Sequence, residues 1–344
     1  MIANKSNILL VYTGGTIGME KDTETGALHA FNFDNLLKQI PELKLIECNI
    51  QTLSLPQPID SSNMNPKYWV KIAEIIETNY HHFDGFVILH GSDTMSYTAS
   101  TLSFMLENLA KPVILTGAQL PIGDLRTDAR ENLMTSIQLA SLTNNDATPV
   151  IQEVCLYFEY KLYRGNRTSK INAENFQAFN SLNYPCLAES GVHLKINYQY
   201  ILKANPNTTL RVHTNLNDNI ILIKLFPGIT ASFIKSAIDI PHVKALILET
   251  YGSGNCTTET WFIDALKMVI SKGKYIISVT QCVGGGVTMG KYESSKALMA
   301  LGVISAKDMT TESAIAKTMF LLGQYLPPEM FKTSFEKSLR GEIA

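Results

Sequence analysis

Apolar and polar positions form two kinds of pattern along the first half of the chain. Short, almost wholly apolar runs predict buried strands, and longer segments with apolar residues every three or four positions predict amphipathic helices. Strands and helices in alternation are typical of βαβ units on a parallel sheet. The predicted strand and helix pairs are residues 8–12 with 34–40, 50–53 with 66–80, 86–89 with 97–109, and 112–115 with 128–142.

The second half repeats this pattern after a polar interval. From about residue 192 only short β-like pieces occur, and apolar runs resume at Ile220. Because a chain of 344 residues exceeds what one core usually supports, we predict two α/β domains joined by a linker. The predicted bounds are 1–195 for a larger domain with an open parallel sheet, 196–219 for the linker and 220–344 for a smaller C-terminal domain.

Charge and composition narrow the class of protein. The 29 basic and 31 acidic side chains give a net charge of −2 and are scattered, so we expect no nucleic-acid or membrane partner. No apolar run reaches the roughly 20 residues that span a bilayer, and the first residues lack the apolar core of a signal peptide. We expect a cytoplasmic protein that acts on a small molecule.

Residue types that bind metals do not occur at ligand spacings. The five cysteines are widely separated and none lies in a C-x-x-C pair, which argues against disulfides and a zinc site. The adjacent His81 and His82 fit a solvated helix end better than a metal pair. We therefore expect no metal site.

Two glycine-containing turns, each directly after a predicted strand, carry the candidate chemistry. They are TGGTIG over residues 13–18 and HGSDTM over residues 90–95. Glycines let the backbone turn sharply at the carboxyl edge of a sheet, where open α/β folds bind small molecules. Thr16 in the first turn, with Ser92 and Asp93 in the second, predicts a crevice with hydroxyls and a carboxylate. These groups favour a hydrolytic site.

Each turn also has a plainer interpretation. The glycines of the first turn are compatible with a phosphate cradle, although they match neither the dinucleotide nor the P-loop spacing. Ser92, Asp93 and Thr94 are residue types that commonly cap helices. A catalytic hydroxyl needs a proton acceptor, and Lys170 in the basic segment 163–170 can serve only if it lies beside Ser92. Spacing along the chain leaves that open.

The two turns resemble the signature segments of the bacterial-type L-asparaginases, and similarity to their cytoplasmic, type I branch extends along the chain. The other matching segments are DSSNM at 60–64, TGAQ at 116–119, YRGNRT at 163–168, YGSGN at 251–255 and TQC at 280–282. The resemblance implies a large N-terminal α/β domain, a smaller flavodoxin-like C-terminal domain, and a homodimer or homotetramer built from intimate dimers. It also implies cofactor-free hydrolysis of L-asparagine to L-aspartate and ammonia through a threonine acyl-enzyme.

By matching positions, the resemblance implies a role for each candidate residue. Thr16 is the expected nucleophile, and Ser92, Asp93 and Lys170 are the expected second polar triad. The expected substrate contacts are Asp60, Ser61, Ser92, Asp93, Ala118 and, reaching toward the site of a neighbouring subunit, Asn255.

The chain departs from its relatives at several of these positions. Ser92 replaces the usual threonine and keeps the hydroxyl, and Asn63 replaces an aspartate of secondary importance. Ala27 stands where many relatives carry the tyrosine of the first triad, and it cannot accept a proton. Tyr292 is the best substitute, with an ordinary helix-start tyrosine as an equally good interpretation. Tyr12 is less suited, because it lies within the first apolar strand.

A further departure concerns regulation. Glu249 stands where some cytoplasmic relatives use an arginine to bind effector asparagine, so weak or absent activation by asparagine is predicted. Two other functions stay open: a glutaminase-asparaginase of broader specificity, and a catalytically impaired amino-acid sensor that has lost the tyrosine. Release of ammonia discriminates the sensor, and kinetics on glutamine discriminate the broader enzyme.

Overall fold

The computed structural model describes residues 5–21, 28–30, 40–290 and 293–344. Internal contacts divide the chain into two units, residues 1–181 with 185–214 and residues 182–184 with 215–344. Most of the predicted linker therefore packs within the first unit, where Arg211–Val212 pairs with Leu106–Glu107. The predicted domain bounds stay predictions. Ala27, Tyr292 and all but Ile40 of the predicted helix at 34–40 lie outside the described residues.

The first unit is built on a sheet that is parallel over most of its width. Its described strands are β1 (Ser6–Tyr12), β2 (Met19–Lys21), β3 (Leu28–Ala30), β4 (Cys48–Ser54), β5 (Gly85–Leu89), β6 (Leu106–Glu107), β7 (Val113–Thr116), β8 (Val154–Phe158), β9 (Lys161–Arg164), β10 (Ser169–Lys170), β11 (Phe179–Asn180), β12 (Ala188–Glu189), β13 (Lys195–Ile196) and β14 (Arg211–Val212). In the main sheet the described strands lie in the order β13-β12-β9-β8-β7-β5-β1-β4. Pairing is parallel from β8 to β4, which confirms the predicted α/β class.

The other end of the sheet is antiparallel, which the sequence patterns do not predict. Strands β8 and β9 form a hairpin through Glu159 and Tyr160, whose φ angles are 41° and 67°. Two successive residues with positive φ give the tight turn that suits the twist of paired strands. Glycine or asparagine usually marks such a turn, and neither is present here.

Within the described residues of the first unit, three helices alternate with the parallel strands: α1 (Pro66–Asn79), α2 (Met95–Met105) and α3 (Ala129–Ser141). Helix α1 begins as predicted, because the Asn65 side chain accepts a hydrogen bond from the backbone N–H of Lys67 at 3.1 Å. Trp69, Ile72 and Ile76 are buried on its inner face.

The second unit has a parallel sheet of its own. Its described strands, in spatial and chain order, are β15 (Ile220–Lys224), β16 (Ala245–Thr250), β17 (Tyr275–Thr280) and β18 (Ile304–Ser305). Its described helices are α4 (Ala231–Ile238), α5 (Thr260–Ser271), α6 (Glu293–Ala300), α7 (Thr311–Gly323) and α8 (Pro328–Glu336). One buried apolar cluster includes Leu246 and Leu248 of β16 together with Phe262 and Leu266 of α5. The predicted α/β class of the smaller C-terminal domain is thus confirmed.

Two general properties follow from the described part of the chain. No helix there is both long and apolar enough to cross a membrane. Within the same residues, no cluster of three or more histidine, cysteine, aspartate or glutamate side chains is placed to hold a metal ion.

Candidate active site

Four loops leave the carboxyl ends of neighbouring parallel strands in the first unit. They follow β4, β1, β5 and β7, which are adjacent in this order in the sheet. The loops comprise residues 55–63, 13–18, 90–94 and 117–119. Parallel strands end at one edge of a sheet, so loops that are distant in sequence meet there. Most of the predicted site residues lie on these loops.

Glycines allow the loops to pack directly on one another. Gly14 and Gly15 have φ angles of 132° and 91°, a region that side chains disfavour. A Cβ atom on Gly15 would lie 2.5 Å from the backbone nitrogen of Gly91, and one on Gly91 would lie 2.5 Å from Oγ of Ser61. The turn that carries Thr16 therefore contacts the turn that carries Ser92, and the latter contacts Ser61.

Hydrogen bonds tie the same loops together. The Thr13 hydroxyl donates to the carbonyl of Leu89 at 2.8 Å, and the backbone N–H of Ile59 donates to the carbonyl of Thr13 at 2.7 Å. The Thr94 hydroxyl donates to the carbonyl of Ser61 at 2.7 Å. Between these bonds Thr16 begins the short 3₁₀ turn Thr16–Gly18 and remains partly exposed. The threonine thus lies on a braced turn within reach of solvent.

Lys170 lies beside the second turn. Its distance along the chain from Ser92 could not predict this contact. Its Nζ donates to Oγ of Ser92 at 2.9 Å and to Oδ1 of Asp93 at 2.7 Å. Helix α2 begins at Met95 without a hydrogen bond from a capping side chain. The capping interpretation is therefore wrong: the side chains of Ser92 and Asp93 contact Lys170, and Thr94, although at the N-cap position, donates its hydroxyl to the carbonyl of Ser61. The Lys170 side chain is mostly buried, at 18% exposure, and the Asp93 side chain is open, at 63%.

The predicted substrate-binding residues of the first unit lie at the same edge. Asp60 is exposed and accepts a hydrogen bond from the backbone N–H of Ser62 at 2.9 Å, which lowers the pKa of its carboxyl group. An ionised carboxylate there suits an ammonium group. Ser61 and Ala118 are buried members of two of these loops. Asn255 belongs to the second unit, in a turn closed by backbone bonds with Tyr251. Its role stays a prediction, as does that of Tyr292.

His90, in the second signature turn, has a structural environment. Its ring is 1% exposed, and burial lowers its pKa to about 4, so the imidazole is neutral at neutral pH. Nδ1 lies 2.6 Å from the carbonyl of Gly91 and must donate to it, since a carbonyl only accepts. Nε2 then accepts from the Thr98 hydroxyl at 2.9 Å, and that oxygen accepts from Nε1 of Trp69. This chain of bonds supports the turn from inside the protein.

Gln119 is a site residue that the sequence analysis missed. Its Nε2 donates to the backbone carbonyls of Ala173 and Asn175, both at 3.1 Å, which fixes the orientation of the amide. Its Oε1 consequently points toward Ser92, whose hydroxyl donates to it at 3.3 Å while accepting from Lys170. The signal available in the sequence was an amide directly after the strand and turn at 113–118.

We expect Gln119→Met to lower kcat about tenfold, or roughly 1.4 kcal/mol of barrier, with little change in KM. The variant removes the acceptor that orients the Ser92 hydroxyl and the donors that hold the segment after Lys170. Gln152→Met is a matched control, since Gln152 also bonds a carbonyl and a backbone N–H but lies away from the loops. Steady-state kinetics on both variants check this, and equal kcat values for the two would refute it.

Known proteins and family profiles match this sequence along almost the whole chain. Residues 7–202 match the family profile described as Asparaginase, N-terminal, and residues 219–335 match that of the Glutaminase/Asparaginase C-terminal domain. L-asparaginase 1 of Escherichia coli (strain K12) is 41% identical over 344 residues, which cover 98% of each chain. The 60 kDa lysophospholipase of Mus musculus is 40% identical over 98% of this chain and 62% of its own length.

The solved structures lead to the same group of proteins. L-asparaginase I from Vibrio cholerae O1 biovar eltor superposes with a TM-score of 0.90 at 39% identity, covering 99% of this chain and all of that one. The thermostable L-asparaginase from Thermococcus kodakarensis superposes with a TM-score of 0.89 at 30% identity, covering 98% and 99%. At this identity and coverage the likeness extends beyond the fold to the family.

Proposed function

The chain belongs to the asparaginase family, and from that premise we propose that it hydrolyses L-asparagine to L-aspartate and ammonia through a threonine acyl-enzyme. The observation that carries this proposal is the packing of the Thr16 turn against the turn whose Ser92 and Asp93 side chains bond Lys170. The proposed nucleophile Thr16 and two members of the proposed triad, Ser92 and Asp93, thus lie on adjacent loops, and Lys170 of β10 donates a hydrogen bond to each of those two.

The reaction proceeds in two steps. Oγ1 of Thr16 attacks the side-chain amide carbon, the C–N bond breaks, and the departing nitrogen takes the hydroxyl proton to leave as ammonia. Water then hydrolyses the β-aspartyl ester, which restores the Thr16 hydroxyl and releases aspartate. Ser92 and Lys170 guide the proton movements, and the backbone N–H of Ser92 is a candidate donor to the oxyanion.

Charged groups of the substrate find complementary partners near these loops. We assign the α-ammonium to the carboxylates of Asp60 and Asp93, and the α-carboxylate to Ser61. Ala118 lies beside the side-chain amide, and Asn255 completes the site of a neighbouring subunit in a homodimer or homotetramer. Tyr292 is retained as the candidate that replaces the tyrosine missing at Ala27. We infer a cytoplasmic location from the type I relatives.

Initial rates on L-asparagine and L-glutamine, measured by release of ammonia from the purified full chain, test the proposal. Turnover of asparagine supports it. Comparable kcat/KM values for the two amides would instead support the glutaminase-asparaginase of broader specificity. Binding of asparagine without ammonia release would support the amino-acid sensor.

We expect a hyperbolic dependence of rate on asparagine concentration. Glu249, at the position of the effector-binding arginine in some relatives, accepts a hydrogen bond from the Thr311 hydroxyl at 2.8 Å and lies 3.7 Å from the Lys224 ammonium. A carboxylate fixed in this position repels the α-carboxylate of an effector asparagine and so disfavours its binding. A titration across the KM checks this, and a sigmoidal curve would show that the inference from Glu249 is wrong.

A further inference from the structure

Tyr12 ends strand β1 and lies directly beneath the turn that carries Thr16. Its side chain is 1% exposed, and its hydroxyl donates to the carbonyl of Gly18 at 3.0 Å. Gly18 ends the same 3₁₀ turn that Thr16 begins. One buried hydrogen bond therefore connects the rigid strand before the nucleophile to the end of the turn after it.

The same tyrosine determines which residue can stand at position 18. A Cβ atom on Gly18 would overlap the Tyr12 ring and would lie 2.6 Å from its hydroxyl oxygen. Gly18 is not one of the described glycines that have a positive φ angle. Its backbone angles thus do not require glycine, and the requirement comes from the aromatic ring packed on it. Tyr12 and Gly18 form one interlocking pair.

The Tyr12 hydroxyl is poorly suited to be the missing proton acceptor of the first triad. It already donates its proton to the carbonyl of Gly18. Burial raises its pKa to about 12, so the phenol stays protonated at neutral pH. Its contribution to the reaction must therefore be made through geometry.

We propose that Tyr12 is a positioning residue for Thr16: it fixes the turn Thr16–Gly18 through the bond to the Gly18 carbonyl and through the ring that packs on Gly18. The inference rests on the proposed function of Thr16 as nucleophile. A turn of three residues has few bonds of its own, here Gly18 N–H to the carbonyl of Gly15 at 3.2 Å and Met19 N–H to the carbonyl of Thr16. Small displacements of a reacting group are costly in rate.

The first test is Tyr12→Phe, which keeps the ring and removes the hydroxyl. We expect kcat on L-asparagine to fall about tenfold with KM within twofold of wild type. Tyr80→Phe is the matched control, because the buried Tyr80 hydroxyl also has a backbone partner, the N–H of Ala110 at 2.9 Å, and its described ring contacts with Phe86 and Lys111 lie outside the site loops. The inference is overturned if the two variants lose the same fraction of kcat.

The second test is a cycle of Gly18→Ala and Tyr12→Ala. Gly18→Ala alone is expected to lower kcat at least tenfold, whereas in the Tyr12→Ala background it should change kcat less than twofold, because the clash is gone. Equal effects of Gly18→Ala in both backgrounds would overturn the pairing. Circular dichroism and thermal melting confirm that each compared variant is folded.

Hydrogen exchange separates failure of this inference from failure of the proposed function. We expect the amides of residues 16–19 to exchange faster in Tyr12→Phe than in Tyr80→Phe or wild type, whether or not the chain hydrolyses asparagine. Unchanged exchange in Tyr12→Phe would overturn the positioning role. Absence of ammonia release by the wild-type chain would instead overturn the proposed function and leave the exchange result to decide the role of Tyr12.

Discussion

Replacing Thr16 with alanine is expected to abolish hydrolysis of L-asparagine while the protein still folds and binds the substrate. The variant removes the hydroxyl that forms the acyl-enzyme, and loss of a covalent nucleophile costs on the order of 10³-fold or more in kcat. The neighbouring loops are tied by Thr13, Ile59 and Ser61, so the turn does not depend on the Thr16 side chain for its connections. Ammonia release and calorimetric binding of asparagine measure the two properties separately.

Thr16→Ser is the informative companion variant. It keeps a hydroxyl at the same position and loses only the methyl group that restricts χ1. We expect it to retain measurable turnover, below wild type but far above Thr16→Ala. Activity of Thr16→Ala within tenfold of wild type would exclude Thr16 as the nucleophile.

Lys170→Met and Ser92→Ala are each expected to lower kcat strongly, with a milder effect on KM. Each variant breaks the 2.9 Å bond between the ammonium and the serine hydroxyl through which we route proton movement. Residues that act as a unit give losses that are not additive, so the double variant should be scarcely worse than either single one. Steady-state kinetics on all three variants provide the cycle.

Lys272→Met is a suitable control for the loss of a lysine. Lys272 also donates to an aspartate, Asp239, at 2.6 Å, but this pair is about half exposed and belongs to the second unit. Its removal should leave kcat unchanged, because exposed ion pairs contribute little and no site group is touched. Losses in Lys170→Met and Ser92→Ala that simply multiply in the double variant would contradict the relay.

Much of the fold was predictable because its signals are local. The strands predicted at 86–89 and 112–115 correspond to the buried strands β5 and β7, and Asn65 caps helix α1 as predicted, since each signal depends on neighbours within a few residues. The antiparallel end of the sheet was not predictable. Its hairpin uses Glu159 and Tyr160 at positive φ, which only the paired strands enforce.

The candidate site likewise has features that the sequence predicts and features that it does not. The turns around Thr16 and Ser92 were recognisable, because glycines after strands mark sharp turns wherever they occur. The contact of Lys170 with Ser92 joins residues 78 positions apart, and no local pattern encodes it. The orientation of Gln119 depends on the carbonyls of Ala173 and Asn175, which have no sequence signature.

Tyr12 illustrates why the sequence did not reveal the role of some residues near the site. Within an apolar run it is indistinguishable from a core aromatic residue, and its ring is indeed buried. Only folding of the turn back over the strand brings the Gly18 carbonyl to the phenol. Gly18 was interpreted only as one of the glycines that let the backbone turn sharply, whereas in the structure it is the packed Tyr12 ring that leaves no room for a side chain.

The most direct measurement is the simultaneous assay of ammonia and aspartate formed from L-asparagine by the purified wild-type chain. We expect both products to appear in equal amounts, at a rate that saturates with asparagine and disappears in Thr16→Ala. A folded wild-type protein that binds asparagine but forms neither product would contradict the assignment of this chain as an asparagine amidohydrolase.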